Sequence, residues 1–511
     1  MNNRIKKKQS VSFSKLFNED SEIAKRSFIF KGKTINLHFI DCMINKEIFA
    51  TGVVPAIKEL ENVDSEDFLN ELEKKFLGVA SVKKSKDFKI LQEEIFNGSV
   101  IIDIDGEEDK LVIALTDFSK RSITEPPSAS VVRGPREGFI EEIETNISMI
   151  RRRLKTPSLS IKRLRIGKRT GTKIALIFLR DVVNPYVVKA LEERISKIDI
   201  DGIIDSYYLE ELLEFGSEKF FKRLGNTEKP DVASARVLEG RVAIIVDGSP
   251  IVLTAPFILF EDMQSPGDYY DIPARASFVR FVRLLGLLFA ILLPGMYVAL
   301  QSYHYRVLPI NFLITLLSSI EGISFPPILE ILFVLFLFEI LNEASVRMPK
   351  QLGMAMSIIG ALVLGDTAVQ AGIITPPSIV VVAISGITLY IIPNQASEAS
   401  LLRTLFTVIG GITGFYGLFL GFIVLSSYLV SIQSYRTPYM APYAPTVNTD
   451  KKDGFIKKPL SQMIYRPKSF MTLNSVRLQP EDNLKYRAST KNKNKIKRKF
   501  KEDKEKKNGT N

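Results

Sequence analysis

Asp366 is the residue whose type and setting most directly suggest chemistry. It lies in the segment Gly353 to Gly372, where Gly353, Ser357, Gly360, Ala361, Gly365, Thr367, Ala368, Ala371 and Gly372 make the chain rich in small side chains. Small residues let helices approach closely, which is one reading of the segment. An acid at membrane depth costs about 2.5–3.5 kcal/mol unless it faces water or a partner, which favours a second reading, a pore-lining helix. On that reading Ser357, Gly360, Ala361, Val363, Leu364, Gly365, Asp366 and Thr367 line the path, and a ring of Asp366 carboxylates selects cations. The apolar stretch Ala361 to Leu364 is then the candidate gate, closed by dewetting.

Other chemistries find no residues to perform them. The 511 residues contain one cysteine (Cys42) and two histidines (His38 and His304), so there is no disulfide framework, no CxxC pair and no zinc site made of Cys and His alone. GxxxxGK[ST], HExxH and GxSxG are all absent. The segment IGKRTGTK, with Gly167, Lys168, Arg169 and Thr170, looks superficially like a phosphate loop, but its glycine spacing is wrong and no helix start follows. The expectation is a protein that is not an enzyme and that holds no cofactor or metal.

The elements that must position Asp366 are apolar. From Phe278 to Tyr428 the sequence is predominantly hydrophobic, with windows longer than the roughly 20 residues needed to span hydrocarbon. Clear spans are Leu284 to Leu300, Ile328 to Leu341, Ser378 to Ile392 and Leu401 to Val430; Leu308 to Ile320 and Met354 to Ala371 are weaker, giving four to six crossings. Glu339 and Glu343 share a helical face near a span end, where Arg347 or headgroup water can meet them. The first residues carry charge but no apolar core, and Arg275, Arg280 and Arg283 flank the first span, so both termini are expected in the cytoplasm.

The net charge of +12 on 69 Lys plus Arg is concentrated at one end, since residues 485–511 alone contribute +9. This is a low-complexity tail and not a folded basic face, so nucleic acid is not expected as a partner; membrane lipid is. Five regions follow: a flexible N-terminus (1–28), two α/β subdomains (29–125 and 126–270), an all-α polytopic membrane domain (271–432) and a cytoplasmic tail, disordered and basic toward its end (433–511).

Within the soluble part, Asp105-Gly106 and Asp247-Gly248 each suit a tight hairpin turn, in VIIDIDGEEDKLVIALT and VAIIVDGSPIVLT. Lys173 to Leu179 reads as a strand, and Asn184-Pro185 as the cap and first turn of a helix running through Ile195. A helix is predicted over Gly138 to Leu154, with Ile140, Ile143, Ile147, Ile150 and Leu154 on one face. Its terminal Arg151, Arg152 and Arg153 complement the helix dipole and, with Arg163 to Arg169, suggest a basic surface between subunits or domains. QSPGDYY, just before the first span, is either a linker or a coupling element, with Pro266, Tyr269 and Tyr270 at the membrane interface.

Taken in order, RGPREGF (Arg133 to Phe139) leading through Asn146 into IRRRLK, KPDV (Lys229 to Val232), LEGRVAIIVDGSP (Leu238 to Pro250), QSPGDYY (Gln264 to Tyr270), FEILNEASVRMP (Phe338 to Pro349) and GALVLGDTAVQAGI (Gly360 to Ile373) resemble the A subunit of GerA-type spore germination receptors. The resemblance runs from about residue 125 through the membrane domain. It implies a multi-pass receptor subunit in the inner membrane of the bacterial spore, working with a transporter-like B subunit and a lipoprotein C subunit, and homo-oligomerising into a ligand-gated ion channel. Among the matching residues Arg136, Glu137, Asp268, Tyr269 and Tyr270 join Arg151, Arg152 and Arg153 as candidates for assembly or coupling. Three rivals remain open: a paralogous sporulation membrane protein of the same family, a secondary transporter, and a membrane-tethered scaffold. No internal repeat between Leu284 and Val430 supports the transporter.

Overall fold

The computed structural model describes residues 23–30, 33–62, 68–78, 80–116, 134–214, 220–320, 325–347, 365 and 367–478. They fall into two compact units: the described parts of 23–217, 222–257 and 464–478 make the first, and those of 218–221 and 258–463 the second.

The first unit contains two five-stranded sheets. Strands β1 (Ile23–Phe30), β2 (Lys33–Ile40), β3 (Val82–Ser85), β4 (Ser99–Ile104) and β5 (Lys110–Ala114) lie in the order β1-β2-β4-β5-β3. Strands β6 (Leu159–Ile166), β7 (Thr172–Leu179), β8 (Gly225–Thr227), β9 (Val242–Val246) and β10 (Val252–Ala255) lie in the order β6-β7-β9-β10-β8. The two sheets thus share one topology. In each, the hairpin beside the edge strand turns at an Asp-Gly pair, where Gly106 (φ 91) and Gly248 (φ 90) adopt the left-handed backbone that glycine takes without steric cost.

Every pairing between these strands is antiparallel. The alternation of strand and helix had suggested α/β units; the short hairpins β1–β2, β4–β5, β6–β7 and β9–β10 instead join neighbours directly, which only antiparallel pairs permit. Buried strands here still read as continuous apolar runs because helices cover both faces. In the first sheet, Leu69, Leu72 and Phe76 of α1 (Phe68–Phe76) pack with Leu37 and Ile102 on one side. On the other, Leu91 and Ile95 of α2 (Phe88–Phe96) pack with Ile101 and Val112.

In the second sheet, α3 (Ile143–Arg153) and α6 (Pro230–Leu238) pack Ile147, Ile150, Ala233 and Val237 onto Ile161, Ile177 and Ile245. Between them in sequence come α4 (Pro185–Ser196), capped by Asn184 accepting from the Tyr186 N–H at 3.1 Å, and α5 (Ser206–Leu213). Helix α3 begins five residues later than the predicted Gly138. The Asn146 amide brackets both backbone groups of Ile140, accepting from its N–H at 2.9 Å and donating to its carbonyl, so those groups are satisfied outside any helix. The IGKRTGTK segment is the β6–β7 hairpin turn, not a phosphate loop.

The second unit is helical: α7 (Pro273–Ser302), α8 (Ile310–Ile320), α9 (Pro327–Arg347), α10 (Pro376–Leu389) and α11 (Ala396–Ser431). Among the described residues, α7 and the stretch Pro393–Ser431 are long and apolar enough to cross a membrane, and α10 is a shorter apolar helix. Helix α11 is broken at Gly414 (φ 65, ψ −155), and the Tyr303 hydroxyl donates to the carbonyls of Gly411 (3.0 Å) and Ile412 (2.9 Å) just before the break. Where a helix opens, such donors replace the lost backbone partners. After α11 the chain does not trail away at once. Residues 433–463 pack within this unit, where Phe260, Tyr443 and Phe455 stack at centroid distances of 4.6–4.8 Å.

Candidate coupling and assembly sites

QSPGDYY folds as a single 3-10 turn, Pro266–Tyr270, closed by a capping box in which the Asp268 carboxylate accepts from the Ser265 N–H at 3.2 Å. Proline at the first position suits a helical start because its missing N–H has no partner to lose. The turn aims Asp268 at α7, where Arg280 and Arg283, three residues apart, share a face. Asp268 Oδ2 accepts from Arg280 Nε at 3.0 Å and Arg283 Nη1 at 2.8 Å, while Oδ1 accepts from Arg283 Nη2 at 2.9 Å.

A second acid completes the group from the far end of the sequence. Arg280 Nη1 donates to Asp453 Oδ1 at 2.9 Å and to the Gly454 carbonyl at 2.6 Å. The Tyr269 hydroxyl donates to the other Asp453 oxygen at 2.8 Å, and its ring lies 5.6 Å from the Arg280 guanidinium carbon. Arg280 is 0% and Asp268 4% exposed, so these are buried charges held by multiple hydrogen bonds. Burial alone would raise the Asp268 carboxyl; its bonds to Arg283, Ser265 and Arg280 outweigh that and hold it below the usual carboxylate range.

The structure therefore brings Asp268 and Tyr269 together, while Tyr270 is 41% exposed. The sequence singled out Arg280 and Arg283 for topology only and missed Asp453 and Gly454, which it read as tail. Nothing local in KKDG marks an acid whose partners are more than 170 residues away.

In the first unit, Glu137 accepts from Arg152 at 2.7 Å and from Arg153. Burial opposes ionisation here too, and the hydrogen bonds to Arg153 and Arg152 prevail, lowering the Glu137 carboxyl. Arg151 is fully buried at 0% exposure, while Arg152 and Arg153 keep 29% and 21% of their side chains exposed. The basic residues of β6 and its turn also find acids within the unit: Lys162 with Glu192, Arg163 with Glu144, Lys168 with Asp199.

Of the pore-lining candidates, Gly365 and Thr367 are described and exposed. Ser357, Gly360, Ala361, Val363, Leu364 and Asp366 lie outside the described residues. Glu343 pairs with Arg347 one helical turn on, at 2.7 Å, but Glu339 does not share it. Glu339 accepts from Arg403 of α11 at 2.6 Å, with Arg403 fully buried against the Phe338 ring. Arg403 is the one charged residue in LLRTLF, and a lone charge in such a segment is the signal for a partner on another helix.

The family model for the Bacillus/Clostridium GerA spore germination protein matches residues 11–469. Spore germination protein KA of Bacillus subtilis (strain 168) is 36% identical over 441 residues, 86% of this chain and 81% of that one. An uncharacterized membrane protein of the same strain, YfkQ, is 36% identical over 396 residues, 77% of each chain. Among solved structures, the N-terminal domain of the A subunit of the Bacillus megaterium spore germinant receptor GerK3 is 27% identical and covers 48% of this chain and 94% of that one, with a TM-score of 0.38.

Proposed function

This chain belongs to the GerA family of spore germination proteins, and from that premise we propose that it is the A subunit of a nutrient germinant receptor in the inner membrane of the spore. The second unit is its multi-pass membrane domain, with both termini on the cytoplasmic side. The observation that carries the membrane assignment is the outward face of the long helices: only 28% of the apolar window of α7 and 17% of that in Pro393–Ser431 is buried within the chain. Core helices of a soluble protein bury that surface; these present Phe278, Phe289, Leu401 and Phe419 outward, as lipid contact requires.

In this reading the chain works with a transporter-like B subunit and a lipoprotein C subunit, and several copies surround a cation-conducting path lined by Gly353 to Gly372. Arg152, Glu137 and the Asp268 group serve assembly and coupling. Purified complexes in liposomes test it. Asp366→Asn should weaken cation over anion selectivity, and Val363→Ser should raise resting leak. Equal conduction with Asp366→Lys and no leak with Val363→Ser would place the path elsewhere.

YfkQ is as similar to this chain as KA is, at 36% identity, and a second reading is a family paralogue with an accessory ion-release role. Affinity purification from spore membranes separates the two: a receptor subunit brings down a transporter-like protein and a lipoprotein, and an accessory paralogue does not.

A further inference from the structure

Glu330, in the first turn of α9, is 2% exposed and has no basic partner among the described residues. Its neighbours in sequence Ile331 and Val334, with Ile374 beside Thr375 and Val298 beside Tyr297, belong to one buried apolar cluster. If the second unit lies in a membrane as proposed above, the site is inside it. Tyr297 is fourteen residues beyond Arg283 on α7, about 21 Å at the rise of a helix and within the roughly 30 Å of hydrocarbon.

One carboxyl oxygen of Glu330 carries all of its hydrogen bonds among the described residues. Oε1 accepts from the Thr375 N–H at 2.6 Å and from its hydroxyl at 2.7 Å. Since the Thr375 hydroxyl proton is committed to Glu330, the 2.8 Å contact between Thr375 Oγ1 and Ser378 Oγ has the serine as donor. Oε2 makes no hydrogen bond among the described residues. Thr375 and Ser378 are both fully buried at the start of α10, whose dipole supplies only a fraction of a positive charge.

A fourth oxygen comes from α7. The Tyr297 hydroxyl lies beside Glu330, Thr375 and Ser378, buried, yet without a hydrogen bond of ordinary geometry. Gln301, one turn on, likewise has both amide atoms buried and unbonded. A negative carboxylate in an apolar setting is costly without a countercharge, and buried polar atoms without partners need an explanation.

We propose that Glu330, Thr375, Ser378 and Tyr297 form a binding site for one monovalent alkali cation. All four ligands are hard oxygens, which suit such ions and not soft metals. The single carboxylate balances one positive charge, whereas a divalent ion would leave a net charge buried. The site joins α7, α9 and α10, so occupancy ties three helices together and gives the channel reading a place where a permeant or regulatory ion stops.

The test is thermal unfolding of the purified full-length chain in detergent, titrated with sodium or potassium chloride against choline chloride at constant ionic strength and pH. The wild type should show a saturable rise in Tm with an alkali ion and none with choline. Glu330→Gln should abolish the rise, and Ser378→Ala or Tyr297→Phe should weaken the apparent affinity about tenfold, the loss of one ligand. Equal behaviour in alkali and choline salts, or an undiminished response in Glu330→Gln, overturns the proposal. A stability that follows pH but not alkali ions overturns it in favour of a proton site. Should Glu330→Gln fail to fold, unchanged affinity in both Ser378→Ala and Tyr297→Phe is equally decisive. Because the readout needs no ion flux, a chain that binds without conducting leaves the site standing and removes the channel, and the reverse result does the opposite.

Discussion

Arg280 and Asp268 meet at 3.0 Å with side chains 0% and 4% exposed, joining the turn before the first long helix to that helix. Removing one partner of such a pair leaves an uncompensated buried charge, at a cost of about 3–5 kcal/mol. Asp268→Asn should therefore lower the Tm of the full-length chain and its abundance in spore membranes. Replacing Asp268, Arg280 and Arg283 together with apolar residues of similar volume should recover much of that stability. If the family's signal passes through this turn, the apolar variant will be stable but will fail to germinate. Normal germination by the stable variant makes the group purely structural.

Arg151 and Arg152 are neighbours with different fates, which separates folding from assembly. Arg151→Glu places an acid where a fully buried guanidinium sits and should unfold the first unit. Arg152→Glu breaks a part-exposed bond to Glu137, costing about 1 kcal/mol or less. The expected outcome is a normal circular dichroism melt for Arg152→Glu with reduced recovery of the complex. The exchange Glu137→Arg with Arg152→Glu then restores the pair within the chain; complex recovery that stays low locates Arg152 at a contact between subunits.

His38 makes the first sheet sensitive to acid. Burial, opposed by Asp103 and reinforced by Lys25 and Lys110, lowers its pKa from 6.5 to about 4. The unfolded chain therefore takes up the proton first. The contribution of neutral His38 is complete above about pH 6.5 and is lost progressively as pH falls toward 4, by at most about 3 kcal/mol. Denaturant unfolding of the full-length chain at pH 7.5 and 4.5 should show a smaller difference for His38→Leu than for wild type. An identical difference would assign the acid sensitivity to other groups.

Gly414 sits at φ 65 and ψ −155, a conformation essentially restricted to glycine. A Cβ there would also come within 3.0 Å of the His304 ring. Gly414→Ala should cost about 1–3 kcal/mol or straighten α11. Tyr303→Phe, which leaves the Gly411 and Ile412 carbonyls without their donor, should act in the same direction but more weakly. Cysteine accessibility profiles along 405–425 in the two variants provide the measurement, and unchanged profiles would show that the break is held by something else.

Local sequence determined whatever depends on near neighbours. Asp105-Gly106 and Asp247-Gly248 specified their turns because only a few residues accept that backbone, and Asn184-Pro185 specified a helix start because cap and first turn are a local affair. Two of the four clear spans, Leu284 to Leu300 and Leu401 to Val430, were legible because length and hydropathy suffice, whereas Ser378 to Ile392 falls on a helix of 14 residues. What tertiary structure decided was pairing. That both five-stranded sheets are antiparallel and share one strand order, that Asn146 turns Ile140 out of a helix, and that Asp453 returns to Arg280 from beyond the last helix cannot be read from periodicity. Periodicity reports which face of an element is apolar. It carries no information about which charged side chain, far off in sequence, will be close enough to make burial of that face's few ions tolerable.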